Sequence, residues 1–385
     1  MALKIARRGN VSPFIVMDVM NAASERAATG APVFHLEVGQ PGTPAPRRVI
    51  EAAKHALEID HIGYTLASGR PSLRRRIALY YRDRYGVEID PARIMVTTGS
   101  SGGFLLSFLA CFDAGDRVAL AAPGYPAYRN ILTALGAEPV LLLTDAAHRF
   151  QPTLELIDRE METGGGALDG LIIASPSNPT GTMLARADLT RLIEGCRARG
   201  IRVISDEIYH GITYGEPATS ALELGDDAVV VNSFSKYFSM TGWRLGWLVL
   251  PEALIRPAEC LGQNLFISPP TVSQYAGEAA FDCAAELDAY VAAYARSRAL
   301  LLKELPGAGF DKLAPADGAF YIYADVRHLS NDSEAFCRRM LAEIGVAITP
   351  GIDFDPARGS GYVRFSFAAA EADIAEAVRR LQAWS

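Results

Sequence analysis

A lysine stands directly behind an apolar run in Ser233-Phe234-Ser235-Lys236, and Thr241-Gly242-Trp243-Arg244 follows closely. The run from Ala228 to Val231 predicts a buried strand. An amine at the end of such a strand is desolvated, gives up its proton readily and is suited to forming a Schiff base. Arg244 adds a planar fork for an anion. Earlier in the chain, Thr97-Thr98-Gly99-Ser100-Ser101-Gly102-Gly103 leads into Phe104-Leu105-Leu106. A Gly/Ser turn between a strand and a helix presents free backbone N–H groups to a phosphate. The same letters also spell the Gly-x-Ser-x-Gly elbow of a hydrolase, with Ser101 as nucleophile and Asp206 and His328 following in that order. A plain helix cap is the third reading.

Two more strand ends carry polar groups. In Ser175-Pro176-Ser177-Asn178-Pro179-Thr180-Gly181, Asn178 precedes a proline and is biased to an extended conformation that presents its amide, although a turn-former alone would need no function. In Ser205-Asp206-Glu207-Ile208-Tyr209, Asp206 follows the apolar run Ile201 to Ile204. A carboxylate there needs a cation or several donors to stay ionised, unless it only caps a helix. An amine, a carboxylate, an amide, a phenol, an arginine and a phosphate-binding turn together meet the needs of pyridoxal 5′-phosphate.

The elements that must position these groups alternate. Arg93–Thr98, Asp116–Ala121, Pro139–Leu143, Leu171–Ala174, Ile201–Ser205 and Ala228–Asn232 predict strands buried on both faces, with helices such as Ala185–Arg199 between most of them. This pattern predicts a parallel α/β sheet with its ligands beyond the carboxyl ends of the strands. After about Ala280 come a long helix through Leu305, strands near Phe320–Asp325, Val346–Thr349 and Tyr362–Phe367, and helices near Ser333–Ile344 and from Glu371. That predicts a smaller α+β unit. The expected partition is an N-terminal arm with part of the small domain over 1–45, a large domain over 46–279 and the small domain over 280–385.

Composition narrows the class. Half of the 385 residues are apolar and 21% are charged, which excludes a disordered or fibrous chain. The net charge of −7 gives no bulk attraction to nucleic acid or anionic lipid. The five cysteines form no Cys-x-x-Cys pair and no zinc spacing, so no metal site is expected and the thiols read as reduced. No leader-like apolar stretch or membrane-spanning run appears, and the expected location is the cytoplasm.

Across nearly its whole length the sequence resembles the class I and II aminotransferases, the aspartate-aminotransferase-like, fold-type I family of pyridoxal-phosphate enzymes. The resemblance rests on Gly39-Gln40-Pro41, Tyr64 to Gly69, Gly99 to Gly102, Pro123-Gly124-Tyr125-Pro126, Asn178 to Gly181, Asp206 to Tyr209, Ser233 to Lys236, Arg244 and Val363-Arg364-Phe365-Ser366, in that order. It implies a large domain with a mostly parallel seven-stranded sheet flanked by helices. It also implies amino-group transfer between an L-amino acid and a 2-oxo acid by a ping-pong mechanism through a Lys236 Schiff base. Lys236, Asp206 and Tyr209 are the implied catalytic residues. Asp206 would partner the ring nitrogen, Asn178 and Tyr209 the phenolic oxygen, and Tyr125 the ring face. Ser100, Ser101, Ser233 and Arg244 would hold the phosphate, joined by Tyr64 from the other subunit of a homodimer. Arg364, Gly39 and Asn178 would contact the substrate, Arg364 by its α-carboxylate.

Departures limit what the resemblance says of the substrate. Gln40 stands where many relatives carry an acidic residue, and the segment Pro41 to Pro46 is rich in proline. No basic residue is assignable to a side-chain carboxylate. Arg47 and Arg48 qualify only by proximity and also read as surface helix charges. Phe14, Tyr64 and Phe266 would suit an apolar side-chain pocket, or the core. Two alternatives accompany the transferase reading: a pyridoxal-phosphate C–S lyase of the same fold, and the serine hydrolase, which leaves Lys236, Asn178 and Arg244 unexplained. A non-catalytic, cofactor-dependent regulator lacks a helix-turn-helix segment ahead of the fold.

Overall fold

In a computed structural model of the chain, residues 3–384 are described. Near the N-terminus, the helix Ile15–Ala28 precedes a short strand, β1 (Phe34–His35). β2 (Ile94–Thr97), β3 (Arg117–Ala122), β4 (Glu138–Leu143), β5 (Gly170–Ala174), β6 (Arg202–Asp206), β7 (Val229–Ser233) and β8 (Gly246–Val249) form a seven-stranded sheet in the order β2-β8-β7-β6-β5-β3-β4. β3 to β7 pair in parallel, and β8 runs antiparallel to both of its neighbours. The central strands are covered on both faces, which is why β5 and the first three residues of β7 read as apolar runs.

The antiparallel β8 has a local cause. Between β7 and β8 the chain makes only the Lys236 turn and one 3-10 turn, Thr241–Trp243, with no crossover helix to bring it back in parallel. Beneath that turn Phe234 packs at 5.0 Å from both Phe238 and Trp247, with Phe281 at 5.4 Å, giving Lys236 a rigid apolar floor.

A second, antiparallel sheet is made of β9 (Lys312–Leu313), β10 (Tyr321–Asp325), β12 (Thr349–Pro350) and β13 (Tyr362–Ser366), in the order β12-β13-β10-β9. The stretch expected as one strand near Val346–Thr349 is two. β11 (Val346–Ala347) pairs in parallel with β1, and β12, after Ile348, pairs with β13. A two-residue change of partner thus sews the N-terminal arm to the end of the chain. No helix among the described residues is long and apolar enough to cross a membrane.

Candidate active site

A cavity of about 560 Å³ opens at the carboxyl ends of β5, β6 and β7, between the two sheets. It is lined by Gly39, Ser100, Ser101, Tyr125, Asn178, Asp206, Tyr209, Lys236, Arg244 and Arg364. Of the residues expected in the site from the sequence, only Ser233 and Tyr64 are absent from that wall.

Asp206 is the last residue of β6 and is buried. Its Oδ2 accepts a short hydrogen bond from the Tyr128 hydroxyl, and its Oδ1 accepts from the Ile208 amide at 3.1 Å. Burial pushes its carboxyl up to about 6, against the pull of those donors and of the Lys236 charge. The adjoining Glu207 is not in the cavity wall. It accepts from the Ser220 hydroxyl at 2.9 Å and the Ala221 amide at 2.8 Å.

Lys236 reaches the cavity from the turn after β7, and its Nζ donates to the Gly39 carbonyl at 2.5 Å. Burial pushes its amine down to about 8, helped by the positive charge of Arg364 and opposed by Asp206. The amine therefore loses its proton more than two units below the ordinary 10.5 of a lysine.

Arg364, in the middle of β13, is 2% exposed. Its Nη1 donates to Asn178 Oδ1 at 2.9 Å and its Nη2 to Thr349 Oγ1 at 3.1 Å and to the Glu37 carbonyl. The guanidinium lies 4.4 Å from the Tyr321 ring centre and 4.8 Å from that of Phe354. Its Nε has no partner, and no carboxylate pairs with it among the described residues. Because Asn178 accepts through its oxygen, its amide nitrogen is left to donate into the cavity.

At the opposite end, Ser100 and Ser101 begin the helix Gly99–Cys111. Gly99 has φ +70°, and a Cβ there would lie 2.5 Å from Nη2 of Arg244, so the glycine allows the guanidinium to sit against the helix start. The Arg244 side chain bonds only the Thr241 carbonyl, at 3.0 Å, and forms no ion pair among the described residues.

Ser233 closes β7, one residue beyond the strand expected over Ala228–Asn232, and the serine of this turn in the cavity wall is Ser235. The Ser233 hydroxyl accepts from the Ser235 amide at 3.0 Å and lies 3.2 Å from the Leu245 carbonyl, bracing the turn from beneath. Tyr64 is 82% exposed, outside the cavity. Phe14 lines the cavity and Phe266 does not. Arg47 and Arg48 are exposed, Arg48 pairing with Asp282 at 3.0 Å. His328 donates to the Gly309 carbonyl at 2.8 Å and is absent from the cavity wall, so Ser101, Asp206 and His328 do not form a triad.

The sequence reading missed Tyr128, Tyr321, Thr349 and Glu37. Tyr128 follows Tyr125 by three positions at the start of the helix Pro126–Leu135, a spacing that puts both rings on one face and was available to be read. Tyr321, Thr349 and Glu37 reach the site only through strand pairings, Thr349 by standing opposite Arg364 in the β12–β13 register.

Fold and site define an α/β protein with an accessible amine, a buried carboxylate and two seats for anions in one cleft. A profile of the family described as aminotransferase class I and II matches residues 31–381, and the chain belongs to that family. It is 51% identical over 385 residues to a valine–pyruvate aminotransferase of Mycobacterium tuberculosis, covering 99% of this chain and 98% of that protein. The crystal structure of an aminotransferase from Mycobacterium tuberculosis superposes with a TM-score of 0.97 at 51% identity, over 100% of this chain and 99% of the other. An aspartate aminotransferase from Thermus thermophilus, determined with maleate, gives a TM-score of 0.91 at 30% identity, over 99% and 100% of the two chains. The protein is an aminotransferase of fold type I, and these likenesses favour amino-group transfer over the C–S lyase alternative.

Proposed function

We propose that the enzyme binds pyridoxal 5′-phosphate on Lys236 and transfers the amino group of a small apolar L-amino acid, of the valine kind, to a 2-oxo acid such as pyruvate. One observation carries this reading. Arg244, Asp206 and Arg364 bring three charges to one cavity, and none has an ion-pair partner among the described residues. Leaving charges unmatched beside a low-dielectric wall is costly. A phosphate at Arg244, a protonated ring nitrogen at Asp206 and a substrate carboxylate at Arg364 match all three, in that order. When bound, the cofactor supplies an aldehyde and a protonated ring that accepts the electron pair of a broken Cα–H bond.

The chain's own residues divide the remaining work. Ser100, Ser101 and Ser235 offer donors beside Arg244, and Ser233 braces Ser235. Tyr125, edge-on to Tyr128 at 5.2 Å and in the cavity wall, would pack on the cofactor's ring face. Asn178 and Tyr209 are donors for the phenolic oxygen. Arg364 holds the α-carboxylate and so fixes which substituent of Cα faces Lys236, whose neutral amine then takes the proton.

The substrate class follows from the rest of the wall. Phe14, Val16, Met17, Met20 and Val38 form an apolar side, and the cavity's cations on this chain are Lys236, Arg244 and Arg364, each already engaged. A side-chain carboxylate finds no cation of its own there. The relative named for valine and pyruvate supports the same choice. The active unit is proposed to be a homodimer in which Tyr64 reaches the partner's phosphate seat. Tyr64 and Leu66 are exposed, as are Leu265 and Ile267, and the two segments that carry them are joined by the Thr271 hydroxyl on the Gly63 carbonyl at 2.7 Å. The partition into an arm, a large domain and a small domain near residues 45 and 280 is supported by the sheets: the seven-stranded one draws on residues 94–249, the four-stranded one on 312–366, and the β1–β11 pair joins the arm to the latter stretch. The free cysteines support a reducing location, the cytoplasm.

The test is a half-reaction screen of single amino acids against the cofactor-loaded protein, followed by its visible spectrum. Valine is expected to react at least about tenfold more efficiently than aspartate, the difference that about 1.4 kcal/mol of mismatched pocket produces. Preference for aspartate would overturn the substrate class.

A further inference from the structure

The helix Ile15–Ala28 carries most of the apolar wall, yet little in its own sequence fixes it. Of its 14 residues only Val16 and Ala23 are buried, and its N-cap Phe14 makes no side-chain cap. On one flank it faces the active-site cavity through Val16, Met17 and Met20. On the other, a second cavity of about 340 Å³ is lined by Ile15, Asp18, Val19 and Ala22 together with Cys337 and Leu341 of the helix Ser333–Ile344. The helix is anchored toward its far end, where Ala23 and Val19 pack with Leu341 and Ala347 and Arg26 donates to the Ala342 carbonyl at 3.0 Å, so its first turns, between the two voids, are the part with fewest packing partners.

What holds its start comes from the far end of the chain. Asp353 Oδ1 accepts from the Ile15 amide and Oδ2 from the Val16 amide, both at 3.2 Å. The carboxylate thus performs the task of an N-cap from outside the helix, and it opposes the helix dipole. Asp353 is buried, and its own carbonyl accepts from Arg129 Nη2 at 3.0 Å. The next residue is Phe354, whose ring backs the Arg364 guanidinium at 4.8 Å. One short turn therefore touches both the group that grips the α-carboxylate and the helix that faces the side chain.

We propose that Asp353 is a positioning residue for substrate selection: by capping the Ile15–Ala28 helix it sets the distance of the apolar wall from Arg364, and with it the size of side chain that fits. This rests on the reading that the cavity accepts an apolar amino acid along that wall. Loss of the cap would leave the helix start free to shift. Valine, which needs the wall, would then lose more than alanine, which fills less of the pocket.

The experiment compares wild type with Asp353→Ala and the milder Asp353→Asn, both as cofactor-loaded enzyme. Half-reaction kinetics are measured with valine and with alanine, and amide hydrogen exchange is followed over residues 14–20. In Asp353→Ala the valine-to-alanine ratio of kcat/KM is expected to fall about tenfold, chiefly through the KM of valine, with Asp353→Asn between the two. Exchange should quicken at residues 14–20 and stay unchanged in β7. Equal losses for both amino acids, or unchanged exchange at residues 14–20, overturn the role of Asp353. If Asp353→Ala does not fold, Asp353→Asn decides by the same two readouts. A wild type that prefers aspartate overturns the substrate reading instead. The exchange result, and the effect of the variants on whichever preference the wild type shows, then still judge Asp353.

Discussion

The hydroxyls of Tyr209 and Tyr321 lie 2.7 Å apart, although one residue follows β6 of the large sheet and the other begins β10 of the second sheet. Their rings meet edge-on at 5.6 Å. A Cβ at Gly39 would overlap the Tyr321 hydroxyl, so that hydroxyl also fixes glycine at the position whose carbonyl receives Lys236. Tyr321 is therefore the contact by which the second sheet orients a phenol of the first.

Tyr321→Phe should keep the fold and lose that orientation. Removing one neutral hydrogen bond is worth about 1 kcal/mol, so kcat is expected to fall about fivefold with little change in KM for the amino acid. Steady-state kinetics check this. A variant as fast as wild type would show that Tyr209 needs no partner.

The lowered pKa of Lys236 gives a pH dependence with a definite sign. Only the neutral amine attacks an aldehyde. Once the cofactor is stripped, its uptake should therefore accelerate about tenfold per pH unit up to about 8 and level off above it. Stopped-flow absorbance between pH 6 and 9.5 measures this. A flat profile, or a rise continuing to the ordinary lysine range, would contradict the environment described for Lys236.

Asp206 makes the opposite demand on stability. Its folded pKa of about 6 lies above the ordinary 3.8, so the folded state binds the proton more tightly. The burial penalty is therefore full above about pH 6 and fades toward pH 4. Asp206→Asn is expected to stabilise the cofactor-free protein at pH 7.5 by up to about 3 kcal/mol, with most of the gain gone by pH 4.5. Turnover of the loaded variant should collapse. Urea unfolding at the two pH values tests the first claim, and a variant less stable than wild type at pH 7.5 refutes it.

If Tyr64 completes the partner's site, Tyr64→Ala and Lys236→Ala complement one another. Mixed dimers contain one site with both native residues. Refolding the two variants together should raise activity above the sum of the separately treated parents, since each isologous contact occurs twice. Demonstrated heterodimers without that gain would remove Tyr64 from the shared site.

Much of the site was legible because it is local. Asp206 ends its strand, and Asn178 and Lys236 stand in the turns just after theirs. Each strand is an apolar run that can be read directly, and the chemistry follows from what emerges at its end. The rest depended on pairing. Nothing near Tyr321 marks it as the partner of Tyr209, because the two meet only when β10 closes over the large sheet. Ser235 was not singled out because a serine two places on from Ser233 looks the same in sequence, and only the turn after β7 sets which of the two lines the cavity. β8 escaped because its direction is set by the absence of a helix before it.

The parallel pairing of β1 with β11 and the place of Arg364 in β13 also bear on how the enzyme is born. Every strand of the seven-stranded sheet has been synthesised by residue 249, and with it Lys236, Asp206 and Arg244. Arg364 cannot join the cavity wall until residue 364 has left the ribosome and β13 has paired. Long-range pairings of this kind close late. A nascent chain therefore has Lys236, Asp206 and Arg244 within reach of one another before Arg364 is made, and translation itself supplies one end of the cavity before the other.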